Sequence, residues 1–269
     1  MDVCNREEFN MSSVTQRINE IKQPRGGYIN PSQFDVKVLN DGKELSEHEN
    51  IHATVIGITV DYLTRLLMGT NADKAFSISL VGAKLASSNG VPDALQVAND
   101  LLSNVKGLDD KSIISACKLT TFDVWFRNTV AAPKAKNAAE TNPDKDTIKN
   151  IQTMVKRSAD FWSIYGPIVK DGFTFEPYGY TQTVDSGDGD FLTQDTMWDF
   201  KVLKSAPTNK HTLQLLMYWI MGQHSDKPEF KDITAVGIFN PRLNTVYTLP
   251  MSRIELSTIK TIETEVICY

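Results

Sequence analysis

Apolar residues recur at helical spacing from Glu49 to Met68, where Ile51, Val55, Ile58, Tyr62, Leu63 and Leu66 fall on one face, and the run stops at Gly69. Three more helical stretches are predicted over about 73–87, 92–105 and 109–128, separated by Asn89-Gly90 and by Gly107. They share no repeating period, so they do not read as a solenoid. Residues 130–145 lose the pattern and carry Pro133, Asn142 and Pro143 among small and charged residues, which predicts an exposed linker. A further helix is expected over 146–169, with Ile148, Ile151, Val155, Trp162, Tyr165 and Val169 in one stripe.

After Gly172 the pattern shortens toward a period of two. Strands are predicted over 173–176, 180–184, 189–192 and 198–203, then a helix over 209–223. Two more strands, 233–239 and 245–249, flank the turn Asn240-Pro241-Arg242-Leu243-Asn244, and a closing helix begins near Ser252. Upstream, the pattern gives only a short polar helix near 14–22, a turn at Pro24-Arg25-Gly26-Gly27 and a strand over 34–39.

A helix, three strands, a helix and a strand in that order predict an α/β fold in which a mixed sheet is covered on both faces. The chain divides accordingly into an N-terminal segment (1–48), a helical region that is an insertion or lid (49–130), a linker (131–145) and an α/β core (146–269).

Composition narrows the classes. The 269 residues can bury a large core, and 41% apolar with 23% charged residues is ordinary globular usage. The N-terminus has no apolar signal-peptide core, and no run of about 18 apolar residues occurs, so a cytoplasmic protein with no membrane partner is expected. Cys4, Cys117 and Cys268 show neither CxxC nor zinc-ligand spacing and are expected to be reduced thiols. The net charge of −5 argues against nonspecific coating of nucleic acid, although it leaves room for a local carboxylate site with a basic rim.

The chemistry concentrates in 186–202. Trp198, Phe200 and Val202 alternate with Asp199 and Lys201, so the two charges share one strand face. A turn centred between Gln194 and Asp195 sets Asp190 opposite Asp199, with side chains about 5 Å apart. Like charges facing each other destabilise a strand pair, so this pairing points to a divalent cation, and an oxygen site of this kind suits Mg²⁺ or Mn²⁺. Lys201 would lie beside the metal-bound water and the scissile phosphate, and the Phe200 carbonyl is a further ligand candidate.

The run Gly187-x-x-Asp190 followed by Asp199-Phe200-Lys201 resembles the G-x-x-D … (D/E)-x-K signature of the PD-(D/E)XK nuclease superfamily. Gln214-Leu215-Leu216-Met217-Tyr218 is similar to the Q-x-x-x-Y helix motif of its RecB-like exonuclease branch. The resemblance covers roughly 146–255 and implies a restriction-endonuclease-like core that hydrolyses DNA phosphodiester bonds. It makes Asp190, Asp199 and Lys201 the catalytic residues and places Gln214 and Tyr218 against the DNA strand. Those two are four apart on one helical face, directly after the catalytic strand. Lys204, Lys210 and His211 lie between strand and helix, where they would meet phosphates. The family often adds an acidic or histidine ligand from an earlier helix; Glu49 is the candidate, with Glu176 as its rival.

Two alternatives belong to other classes: a catalytically silent nucleic-acid-binding or assembly module of the same fold, and a hydrolase or binder of small nucleotides. At the residue level, Asp190, Asp199 and Lys201 would otherwise form a solvated hairpin face with an Asp190–Lys201 ion pair. Asp188 competes with Asp190 as ligand because both lie on one strand face.

Overall fold

The computed structural model describes residues 12–269. In chain order the elements are β1 (Ser12–Ser13), α1 (Val14–Glu20), β2 (Asp35–Val38), α2 (Ala53–Leu67), α3 (Ala72–Ala75), α4 (Ser77–Ser88), α5 (Ala94–Ser103), α6 (Asp110–Thr120), α7 (Asp123–Arg127) and α8 (Lys145–Tyr165). There follow β3 (Lys170–Thr174), β4 (Val184–Ser186), β5 (Asp188–Leu192), β6 (Thr196–Phe200), α9 (Asn209–His224), β7 (Ala235–Asn240), β8 (Thr245–Pro250) and α10 (Leu256–Thr261). They form two compact units, one of residues 12–39 with 162–269, the other of 40–161. The sequence divides the chain differently: 12–39 pack with the sheet, and the unit boundary falls inside α8 rather than at 146.

The sheet unit is α/β. Its mixed sheet has six strands in the order β2-β8-β7-β6-β5-β3, antiparallel throughout except between β6 and β7, which α9 connects. A parallel pair needs such a crossover, and a helix supplies it while covering one sheet face. Met197, Leu192, Val236 and Ile238 share a buried core with Leu213, Leu216, Met217 and Ile220 of α9. On the opposite face Trp198 packs edge-on to Trp162 (centroids 6.4 Å) and Tyr165 (5.4 Å) at the end of α8. Gly237 makes room for that ring, because a Cβ there would stand 2.3 Å from Trp198 Cζ3.

The β5–β6 hairpin has the register expected from its turn. Phe191 pairs with Trp198 and Leu192 with Met197, and Thr193 N donates to Thr196 O at 3.0 Å across the two residues Gln194 and Asp195. Trp198 Nε1 donates to Thr193 Oγ1 at 3.1 Å and braces the turn. The strand expected over 180–184 forms only at its end. Thr181 Oγ1 accepts from Thr183 N (3.2 Å) and Val184 N (3.1 Å), so the chain turns before β4 pairs in parallel with β1. The strand expected over 34–39 is β2, an edge strand on β8 with Asp35 against Thr248 and Val38 against Thr245.

The helical unit holds α2 to α7 and α8 as far as Phe161. The helix expected over 109–128 breaks into α6 and α7 at Thr121–Phe122. At this break α4 presses close to the chain: a Cβ on Gly82 would lie 2.0 Å from Phe122 O. Just beyond, the Asp123 carboxylate is 1% exposed. It accepts from Ser79 Oγ (2.5 Å), Tyr62 Oη (2.6 Å) and Arg127 Nε (3.3 Å). Burial raises the Asp123 pKa, with those hydrogen bonds and the Arg127 charge opposing.

Cys117 is a buried free thiol whose pKa burial pushes up to about 12. Cys268 is disulfide-bonded, which corrects the expectation of reduced thiols at that position. Sequence spacing could not reveal it, since cross-linking depends on which segments the fold brings together. Cys4 lies outside the described residues. Among the described residues no helix is long and apolar enough to cross a membrane.

Candidate active site

Asp199 is the last residue but one of β6, on the face that α9 covers, and only 3% of it is exposed. It is therefore not on a solvated face. Lys201 Nζ donates to Asp199 Oδ1 at 2.7 Å, while Asp199 Oδ2 is buried without a hydrogen-bond partner among the described residues. Lys201 follows the strand end; its backbone N still donates to Phe239 O of β7 at 3.0 Å, and its side chain keeps 24% of its exposure. The ion pair that forms is thus Lys201 with Asp199, not the diagonal one with Asp190.

The β5–β6 register, continued by one residue, sets Asp190 opposite Asp199. Asp190 Oδ2 accepts from the Phe200 backbone N at 2.7 Å, which holds the side chain across the strand pair. Asp190 Oδ1 makes no hydrogen bond to a described residue. Asp188 is exposed at the start of β5 and adds a third negative charge at longer range.

The electrostatics follow from this crowding. Burial pushes the Asp199 pKa up to about 6; Lys201 opposes, and Asp190 and Asp188 add to the rise. Burial pulls the Lys201 ammonium down, but Asp199, Asp190 and Asp188 outweigh it, and its pKa ends above the ordinary value. A carboxylate facing two others with a buried open lone pair is a site short of positive charge.

On α9, Gln214 Nε2 donates to Tyr218 Oη at 3.1 Å. Tyr218 is 4% exposed, and burial first, then Asp199 and Asp188, raise its pKa well above the ordinary value. The two motif residues therefore act as one unit beside the acidic strand ends. Gly187 lies against the Tyr218 ring: a Cβ there would be 3.3 Å from Tyr218 Cε1 and 2.8 Å from Val14 Cγ2. The glycine of the G-x-x-D run thus serves close packing. Gly187→Ala is expected to destabilise the sheet unit by about 1–3 kcal/mol through overpacking, measured by urea unfolding; an unchanged midpoint would show that Val14 yields freely.

The remaining candidates are dispersed. Lys204 is exposed, and Lys210 Nζ donates to Asn19 Oδ1 of α1 at 2.7 Å. Glu49 belongs to the helical unit, in the loop before α2, and its Oε1 accepts from Asn150 Nδ2 at 2.9 Å. Glu176 is exposed just after β3. Among the described residues no three His, Cys, Asp or Glu side chains are grouped to hold a metal ion.

Two features carried little weight in the sequence. His211 Nδ1 accepts from Thr208 N at 2.9 Å in the capping box of α9. Burial, with Lys201 adding, pulls its pKa down to about 4, so it presents a neutral Nε2–H near neutral pH. The second is the Phe200 N–H grip on Asp190, which only the folded strand end creates.

Compared with models of protein families, with curated proteins and with solved structures, the chain matches none.

The geometry of the site predicts a pH dependence. An unfolded aspartate titrates near ~4, whereas Asp199 in the fold titrates at about 6. Between those values the folded chain keeps a proton that the unfolded chain has lost, so the Asp199 contribution favours folding at low pH and is lost as pH rises through 6. Without added metal, Asp199→Asn should flatten this fall, which is worth about 2–3 kcal/mol. Parallel slopes for wild type and variant in urea titrations from pH ~4 to ~7 would contradict the assignment.

Proposed function

We propose that the protein is a divalent-cation-dependent nuclease with a restriction-endonuclease-like core, hydrolysing DNA phosphodiester bonds at the Asp190–Asp199–Lys201 site. One observation carries this reading: the Asp199 carboxylate is buried with Oδ2 unpartnered among the described residues, while a lysine holds its other oxygen. An unsatisfied buried carboxylate oxygen costs free energy of about 1–3 kcal/mol or more, and a cation would recover it.

The donors fit a hard cation. Asp199 Oδ2 and Asp190 Oδ1 are the carboxylate oxygens left over by the protein's own hydrogen bonds. Mg²⁺ commonly takes only one or two carboxylates and completes its shell with water and substrate phosphate, so two suffice. When bound, such an ion lowers the pKa of water and stabilises charge on the phosphoryl oxygens.

The chain's own residues divide the remaining work. Lys201, held at its Nζ by Asp199, offers its other N–H bonds to a phosphate oxygen and offsets the charge that develops there. The Phe200 N–H fixes the Asp190 rotamer, so this carboxylate is oriented in advance. Gln214 and Tyr218 hold each other and in this reading position the strand from α9. His211, neutral near neutral pH, adds an Nε2–H donor near Lys201.

The absence of a three-ligand acidic or histidine group among the described residues favours one other reading, a silent nucleic-acid-binding or assembly module. Incubation with linear and circular, single- and double-stranded DNA separates the two. Cleavage with Mg²⁺ or Mn²⁺ that EDTA abolishes is the expected result. No cleavage of any form, together with no heat of Mg²⁺ or Mn²⁺ binding by calorimetry, would establish the silent module.

A further inference from the structure

The helical unit contains a cavity of about 750 Å³ that the proposed nuclease reaction does not use. It lies among the start of α2, the α6–α7 break and the segment after α7. Ile51, Val55, Ile58 and Val124 supply apolar wall. The volume falls in the range of sites that enclose small organic ligands, roughly 300–1,000 Å³.

The polar groups of the lining are unequal in sign. Asp123 reaches the cavity but is spent: Ser79 serves one oxygen, and Tyr62 and Arg127 serve the other. Glu140 Oε2 accepts from Asn137 N at 3.1 Å, and its Oε1 bonds no described residue. The unspent donors outnumber this one acceptor. Arg127 uses Nε on Asp123 and Nη2 on Tyr62 Oη, while Nη1 makes no hydrogen bond to a described residue. The Lys134 and Lys136 ammonium groups likewise bond no described residue. His52 accepts from Thr54 N through Nδ1 at 3.2 Å, which leaves Nε2 to donate. An apolar chamber bordered by Arg127, Lys134, Lys136 and His52 complements a molecule with an apolar body and one anionic end.

We propose that this cavity is a binding site for a small amphipathic anion, its apolar body against Ile51, Val55 and Ile58 and its carboxylate or phosphate head among Arg127, Lys134 and Lys136. The two heads share the same donors. The lysines offer point charges and Arg127 its remaining Nη1 donors, which either head accepts.

The test is calorimetry and thermal melting of the full chain with decanoate, decyl phosphate and decanol. Saturable one-to-one binding of at least one of the two anions is expected, with decanol weaker by about tenfold or more, the value of one lost charge-assisted hydrogen bond. The relative affinities of decanoate and decyl phosphate decide which head the site prefers. Lys134→Gln with Lys136→Gln changes two exposed side chains and should weaken binding about tenfold at an unchanged melting temperature. Val55→Phe should fill the chamber and abolish binding of all three probes. Arg127 is left intact, since it braces the buried Asp123. No saturable binding of either anion overturns the proposal, as does decanol binding equal to theirs. Anion affinity that survives both variants also overturns it, because the ligand would then sit elsewhere.

Discussion

Replacing Asp199 by Asn is expected to lower DNA cleavage about 10²–10³-fold or more and to weaken Mg²⁺ binding in the same variant. Asn keeps the shape and an oxygen, but it removes the charge that faces Asp190 across the strand pair and the oxygen left open in the core. Lys201→Gln should lower cleavage on a similar scale while Mg²⁺ affinity survives or rises, because a neighbouring positive charge is gone and both carboxylates remain. Single-turnover cleavage of labelled linear DNA, read beside Mg²⁺ calorimetry, distinguishes the two. Equal loss of metal binding in both variants would mean that Lys201 merely holds Asp199 in place. Full activity in Lys201→Gln would remove the lysine from the reaction.

The other large effect is on stability. Phe175→Ala should destabilise the sheet unit by about 3–5 kcal/mol. Phe175 is fully buried and touches four rings: Phe173 (5.6 Å), Tyr180 (6.0 Å), Tyr218 (5.1 Å) and Phe230 (5.7 Å). Its loss leaves a cavity beside Tyr218, so activity at temperatures well below unfolding should also fall. Phe126→Ala is the control, since Phe126 is 50% exposed and surface truncations usually stay within about 0.5 kcal/mol. Urea unfolding followed by tryptophan fluorescence reads both. A cost under about 1 kcal/mol for Phe175→Ala would show that the four rings close over the gap.

The parts of the fold legible in the sequence are those set by local rules. The hairpin register followed from alternation and a two-residue turn, and α9 and its motif spacing followed from helical period. Those rules set the pairing of Phe191 with Trp198 and Leu192 with Met197, and the structure has it; one residue further the Phe200 N–H bonds the Asp190 side chain instead of continuing the ladder. They could not show that Asp199 is buried, because that burial comes from α9 closing over the strand. Nor could they show that β2 lies on β8 across about 200 residues of chain, since edge pairing carries no local signal. The break between α6 and α7 has no proline or glycine to mark it; a close approach from Gly82 of another helix accompanies it. The buried Asp123 cluster was silent for the same reason, its four members coming from α2, α4 and α7.

That β2 pairs with β8 has a consequence for how the chain is made. A ribosome delivers Asp35–Val38 early, yet their partner strand, Thr245–Pro250, emerges last among the strands. At ordinary elongation rates the interval is on the order of ten to forty seconds, long enough for the helical residues between them to fold first. Throughout that time Val36 and Val38 have no ladder, and an unpaired strand of this kind is what a holdase or a neighbouring nascent chain would seize. Moving residues 12–39 behind the C-terminus by circular permutation should shorten the wait and raise the soluble yield. The same permutation would leave the order of the remaining strands, and the acidic pair they hold, unchanged.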